Sequence, residues 1–342
     1  MGLKIGIVGL PNVGKSTLFN ALLKRQIAYA ANFPFATIEP NVGVVPVPDG
    51  RLNQLAEVTK ESEKMTDLPP VVNATVEFVD IAGLIAGASK GEGLGNKFLS
   101  HIRETDAICF CLRLFKDKDV IRVTDTTPQA SHVGGQAKSD FEILKTELDL
   151  ADLEMTEKHK KKKKEKQNEE ELPLFSKKPY LVVLNVDEGD LVNANKLEIE
   201  YAQKLGVHVH QVIAISAKIE SELSDLADAD QEKYLEDLGI KESGIERLTK
   251  KAFETLGLIT FLTAGVKEVR AWTIKKDTDA QNAAGVIHTD FIKKFIKADV
   301  VDFNDFIENG GWKNCREKGK VRSEGRDYIM KDGDVVEFKI GS

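Results

Sequence analysis

Long apolar runs are missing from this chain, and so is any excess of positive charge. No stretch of its 342 residues is apolar enough, for long enough, to cross a bilayer as a helix. The first residues lack the architecture of a secretory signal, so a cytoplasmic location without membrane attachment is expected. Cysteine is scarce, with only Cys109, Cys111 and Cys315, which excludes a disulfide framework and fits a reducing compartment. Cys109 and Cys111 fall in the apolar run 107–114 and read as small core side chains. The net charge of −7 argues against a generally basic nucleic-acid binder. Basic residues concentrate once: Lys313, Arg316, Lys318, Lys320, Arg322, Arg326 and Lys331 lie within 313–331 against three acidic residues. That stretch is either a local RNA contact or a solvated mixed face. What is present is 42% hydrophobic and 30% charged residues, the balance of a globular protein long enough for two or three domains.

Residues 9–17 read Gly-Leu-Pro-Asn-Val-Gly-Lys-Ser-Thr, a complete G-x-x-x-x-G-K-[ST] phosphate-binding loop. The context agrees with the motif. Residues 3–8 form a short apolar run suited to a buried strand, and Leu18, Ala21 and Leu22 recur at helical spacing behind the loop. Glycines let backbone N–H groups close around phosphate oxygens, and the helix N-terminus adds a favourable field. The stretch from Asn12 through Val13, Gly14, Lys15, Ser16 and Thr17 is therefore expected to hold phosphates. Lys15 reaches the β- and γ-phosphates, and Ser16 binds Mg²⁺.

The run 75–80 alternates as a strand and ends in Asp80-Ile81-Ala82-Gly83. Asp80 stands where a second Mg²⁺-holding carboxylate belongs, and Gly83 can give its N–H to the γ-phosphate. Thr37, between loop and strand, can place its hydroxyl on Mg²⁺ when the γ-phosphate is present, which makes it an order–disorder switch. Lys15, Thr37 and Gly83 are thus the candidates for the hydrolytic step, and Ser16, Thr37 and Asp80 for the metal. Five glycines between Gly83 and Gly95 mark a second switch segment. The base-reading element is Asn185-Val186-Asp187-Glu188, where guanine-specific proteins carry Asn-Lys-x-Asp. Glu188 sets the carboxylate one methylene further out, while Asn185 can still meet a purine N7. A site that loses the groups it used to read a ligand stops rejecting the alternatives. ATP is therefore expected to be accepted. Ser216-Ala217-Lys218 reads as the loop that packs on the base.

Together these strings resemble the Obg-like ATPase (YchF) family. The resemblance rests on 9–17, on Asn-Phe-Pro-Phe-Ala-Thr-Ile-Glu-Pro-Asn at 32–41, on 80–95, on 185–188, and on Phe-Leu-Thr-Ala-Gly-Val-Lys-Glu-Val-Arg-Ala-Trp at 261–272. It implies an α/β, doubly wound P-loop NTPase domain over 1–257, interrupted at 130–178 by a helical coiled-coil insertion. A small ubiquitin-like TGS domain follows at 258–342. It implies ATP preferred over GTP, slow hydrolysis to ADP, ribosome binding, and rRNA or tRNA contact through the TGS domain. By position, Asn185 and Val186 hold the base, Val186 through its backbone. Leu84 stands where Ras-like enzymes carry the water-orienting Gln. Asn12 is the residue that potassium-activated relatives use to hold K⁺, so K⁺ is a candidate activator beside Mg²⁺.

Three departures from the family pattern are visible. Phe110 replaces a His after the second switch, and 124–140 diverges. The insertion is also short. Phe141, Leu144, Leu148, Ala151 and Met155 form a heptad seam. A helix from 141 to 164 rises about 36 Å, while the roughly fifteen residues left can span about 50 Å only as extended chain. Two readings compete with an ATPase switch: a ribosome- or RNA-binding module for which nucleotide is only a ligand, and a GTPase with a divergent base loop. His288 reads as a packed or capping residue.

Overall fold

The structure, a computed structural model, describes residues 3–32, 41–81, 94–116, 133–163 and 172–341. The chain forms two compact units, Met1–Val45 with Val76–Thr255, and Pro46–Thr75 with Leu256–Ser342.

The first unit is built on a six-stranded sheet of β1 (Lys4–Val8), β2 (Val42–Pro46), β4 (Thr75–Asp80), β5 (Ala107–Arg113), β6 (Tyr180–Asn185) and β7 (Val212–Ile215). Its order is β2-β4-β1-β5-β6-β7, and β1 pairs parallel with both β4 and β5. The run β4-β1-β5-β6-β7 is parallel throughout. Parallel strands are covered on both faces, which explains why β5 and β7 are buried along their whole length. Ile7 and Phe78 are fully buried, each contributing roughly 1.5–3 kcal/mol relative to exposure. Strand order reverses at β1, and such switch points open a crevice at the carboxyl ends of the strands. The loop 9–14 and the helix Lys15–Asn32 leave β1 at that point.

Helix Val133–Lys163 has 31 residues. Of the heptad seam, Phe141, Leu144, Leu148 and Ala151 are buried, and the helix packs on β5 and the short 3-10 turn Phe175–Lys177. The seam is therefore a core-facing stripe along these four residues, not half of a two-helix coiled coil. Among the described residues no second helix returns beside it. Instead the Asp152 carboxylate accepts N–H groups from Phe175 at 2.8 Å and Ser176 at 2.9 Å, anchoring the returning chain to mid-helix. Phe110 packs edge-on against Phe141 and Tyr180, at 5.2 and 5.7 Å between ring centres. That position supports the helix.

The second unit corrects the expected boundary, because residues 46–75 pack with 256–342 and not with the nucleotide-binding half. Its sheet holds β3 (Val71–Val72), β8 (Leu258–Ala264), β9 (Val269–Lys275), β10 (Phe295–Val301), β11 (Arg322–Glu324) and β12 (Val335–Ile340). The order is β11-β10-β12-β8-β9-β3. An antiparallel β8–β9 hairpin has β12 parallel beside β8 and antiparallel to β10. Phe261, Ala283, Ala284 and Phe295 fill its core. Arg51 ties helix Arg51–Ser62 to this unit through Asp332 and Thr260. His288 caps the helix Thr289–Lys294 by accepting the Asp290 N–H at 3.2 Å, as the sequence predicts.

Candidate functional site

A cleft of about 1350 Å³ opens at the carboxyl ends of β1, β4, β5, β6 and β7. Asn12, Gly14, Lys15, Ser16, Thr17, Asp80, Asn185, Val186, Glu188, Ser216 and Ala217 all line it. Val13 does not, because its side chain is buried beside Gly9 and Cys111; it serves through its backbone. Thr37 and Gly83, like Leu84, lie outside the described residues.

The loop owes its shape to two left-handed residues, Asn12 with φ 64° and Gly14 with φ 87°. At Gly14 a Cβ would come within 2.0 Å of Asn185 Nδ2, so both backbone and packing demand glycine there. Lys15 begins the helix and forms an ion pair with Asp80 at the end of β4. A lysine that is only 9% exposed needs such a partner when no other anion is near. The same pair sets a cation and a carboxylate at the mouth of a helix N-terminus, beside the exposed hydroxyl of Ser16. Backbone donors, a cation and hard oxygen ligands are the donor set for a triphosphate with Mg²⁺. Among the described residues no group of three His, Cys, Asp or Glu stands together as a preformed metal cage. Mg²⁺ in triphosphate sites needs none, since waters and phosphate oxygens complete its shell.

Asn185 latches the two ends of the cleft together. Its Nδ2 donates to Val13 O at 2.9 Å, and its Oδ1 accepts the Ala217 N–H at 2.9 Å. One amide hydrogen is left for a purine N7. Val186 departs from expectation: its N–H is given to Ile215 O at 2.9 Å, so this residue cannot offer a base its backbone donor. Ser216 and Ala217 line the cleft while nearly fully buried. Asp187 accepts the Lys116 N–H at 3.0 Å, and both Asp187 and Glu188 line the cleft.

Sequence reasoning missed Phe115, Lys116, Gly189, Ser221 and Glu222 of the lining. Phe115 and Lys116 follow directly from β5. A central strand's apolar run breaking at its carboxyl end was the available signal. Tyr234 donates to Glu222 at 2.7 Å, and this bond pushes the phenol up to about 12. Beneath the loop, burial pushes the Cys111 thiol up to about 12 against the pull of Lys15, and burial also raises Cys109. Both are inert core residues, as expected.

Three of the seven basic residues in the stretch 313–331 form ion pairs. Arg316 pairs with Glu337, Lys320 with Asp305, and Arg322 with Glu324 and Asp334.

Comparison with known proteins places two family models on the chain. One, described as "50S ribosome-binding GTPase", matches residues 4–186. The other, the YchF-GTPase C-terminal model, described as a protein of unknown function, matches residues 258–341. Relatives named "Ribosome-binding ATPase YchF" are 44% identical in Pasteurella multocida and 42% in Bacillus subtilis, each alignment covering 99% of both chains. Those alignments run over 381 and 384 positions against 342 residues here, so both include positions this chain lacks. The structure of the Schizosaccharomyces pombe YchF GTPase is 31% identical with a TM-score of 0.81, covering 99% of this chain and 98% of its own. No helix among the described residues is long and apolar enough to cross a membrane.

Proposed function

We propose, from the premise that this chain belongs to the YchF family, that it is an ATP-dependent switch that binds the ribosome. It takes ATP in preference to GTP and hydrolyses it slowly to ADP in the cytoplasm. The observation that carries this reading is the base end of the cleft. Ala217 N–H, a donor that could meet a purine 6-oxo group, is committed to Asn185. Asp187, Glu188 and Glu222 line that end and can accept from the amino group of adenine as they could from the N1–H and 2-amino group of guanine, so the committed Ala217 donor is what favours adenine.

Lys15 would leave Asp80 for the β- and γ-phosphates, while the loop amides hold the chain of phosphates. Ser16, Thr37 and Asp80 would hold Mg²⁺, which supplies charge neutralisation at the transferring phosphoryl group. Thr37 and Gly83 would contact the γ-phosphate only in the triphosphate state, giving the switch its two states. Leu84 cannot orient water, so intrinsic turnover is slow and a partner accelerates it. Asn12 would hold K⁺ beside the phosphates, and equal rates in K⁺ and Na⁺ would remove that element.

The second reading, a ribosome-binding module with nucleotide as a ligand only, is favoured by Leu84. Co-sedimentation with purified ribosomes in ATP, ADP or no nucleotide, with ATP turnover measured in parallel, separates the two. The switch requires nucleotide-dependent sedimentation and ribosome-stimulated turnover. Sedimentation indifferent to nucleotide, without turnover, supports the module.

A further inference from the structure

Strand β5 reads AICFCLR, and its last residue is its only charged one. Arg113 is nonetheless just 3% exposed, at a position where a branched apolar side chain would continue the run. Two of its hydrogen bonds and its stacked ring lead to the cleft. Nη1 donates to Asn12 O at 3.4 Å, and Nε donates to Phe115 O at 3.5 Å. The guanidinium carbon lies 4.4 Å from the centre of the Phe115 ring, a stacking distance.

Arg113 stands opposite Asn185 in the β5–β6 register. The two side chains therefore hold consecutive loop carbonyls, Arg113 that of Asn12 and Asn185 that of Val13. In a trans peptide the N–H points away from its carbonyl. Drawing back the carbonyls of residues 12 and 13 turns the N–H groups of Val13 and Gly14 outward, as a phosphate-binding nest requires.

Resting on the nucleotide-binding reading above, we propose that Arg113 is a positioning residue for nucleotide. It aims the Val13 N–H at the phosphates and braces Phe115 as the wall on which the base lies, so that phosphate loop and base wall move as one piece. Lysine cannot replace it, because an ammonium has neither the planar stacking face nor the fork that meets two carbonyls.

The test titrates Mg-ATP and inorganic tripolyphosphate into the full chain and into R113K, R113M, F115A and R113M/F115A, with Tm measured without ligand. R113M weakens ATP at least tenfold and tripolyphosphate at least threefold. F115A weakens ATP only. The double variant loses far less than the product of the single losses, because an unbraced ring has little left to give. R113K falls between. A guanidinium that served the fold alone would lower Tm and leave both affinities within twofold. That result, or single losses that multiply, overturns the proposal. Where R113M does not fold, R113K decides, and tripolyphosphate binding equal to that of the unaltered chain overturns it. An unaltered chain that binds neither probe overturns the nucleotide reading and the proposal with it.

Discussion

Lys15 and Glu220 carry the account at the scale of single residues. Lys15 is held by Asp80 and is the cation the phosphates would take over. Lys15→Ala removes a charge-assisted contact and is expected to weaken ATP binding by roughly 2–3 kcal/mol, about 30- to 150-fold, with the fold kept. Titration calorimetry measures the first and circular dichroism the second. Glu220 is buried, and burial raises its carboxyl above the ordinary value against hydrogen bonds from the backbone N–H groups of Gly244 and Ile245. A raised acid holds its proton more tightly in the folded state. Its stabilising contribution is therefore full below the unfolded value, about 4.3, and is lost as pH rises through the folded one. Glu220→Gln removes that loss, so its Tm should rise relative to the unaltered chain as pH goes from 4 to 8. A constant difference across that range would sink the assignment. Lys15, Ser16 and Asp80 were legible in the sequence because a phosphate loop fixes residue type and spacing. Arg113 and Phe115 were not, because their role depends on which strand ends lie side by side.

At the scale of elements, the P-loop helix and the strands β1, β4, β5, β6 and β7 were read from apolar runs and spacing, whereas β2 and β10 were not. The insertion was read only in part. Its seam of Phe141, Leu144, Leu148 and Ala151 has a period that fits a coiled coil and a core-facing helix equally, and periodicity cannot say what covers it. Packing settles this: β5 and the turn Phe175–Lys177 lie against that helix. The clamp is Asp152, 7% exposed, holding two N–H groups. Asp152→Ala leaves both without their acceptor and is expected to cost about 2 kcal/mol, lowering Tm by roughly 4–8 °C. Thermal unfolding checks this, and a change under 1 °C would mean that the returning chain is held elsewhere.

At the scale of the whole molecule, sequence order misplaced one boundary. Residues 46–75 precede most of the nucleotide-binding unit yet belong to the second one. Helix Arg51–Ser62 buries Leu52, Leu55 and Ala56, and the helix packs on β8 and β9. A chain cut after residue 257 strands that apolar face and should be far less soluble than the full chain, whereas a fully soluble 1–257 fragment with unchanged Tm would refute the division. Function at this scale turns on the nucleotide, and the relatives' own names divide between ATPase and GTPase. Titration of ATP and GTP into the purified chain with Mg²⁺ and K⁺ tests the central claim most directly. The committed Ala217 N–H predicts ATP bound at least tenfold more tightly. GTP bound equally or more tightly would contradict the account and return Glu188 to the guanine edge.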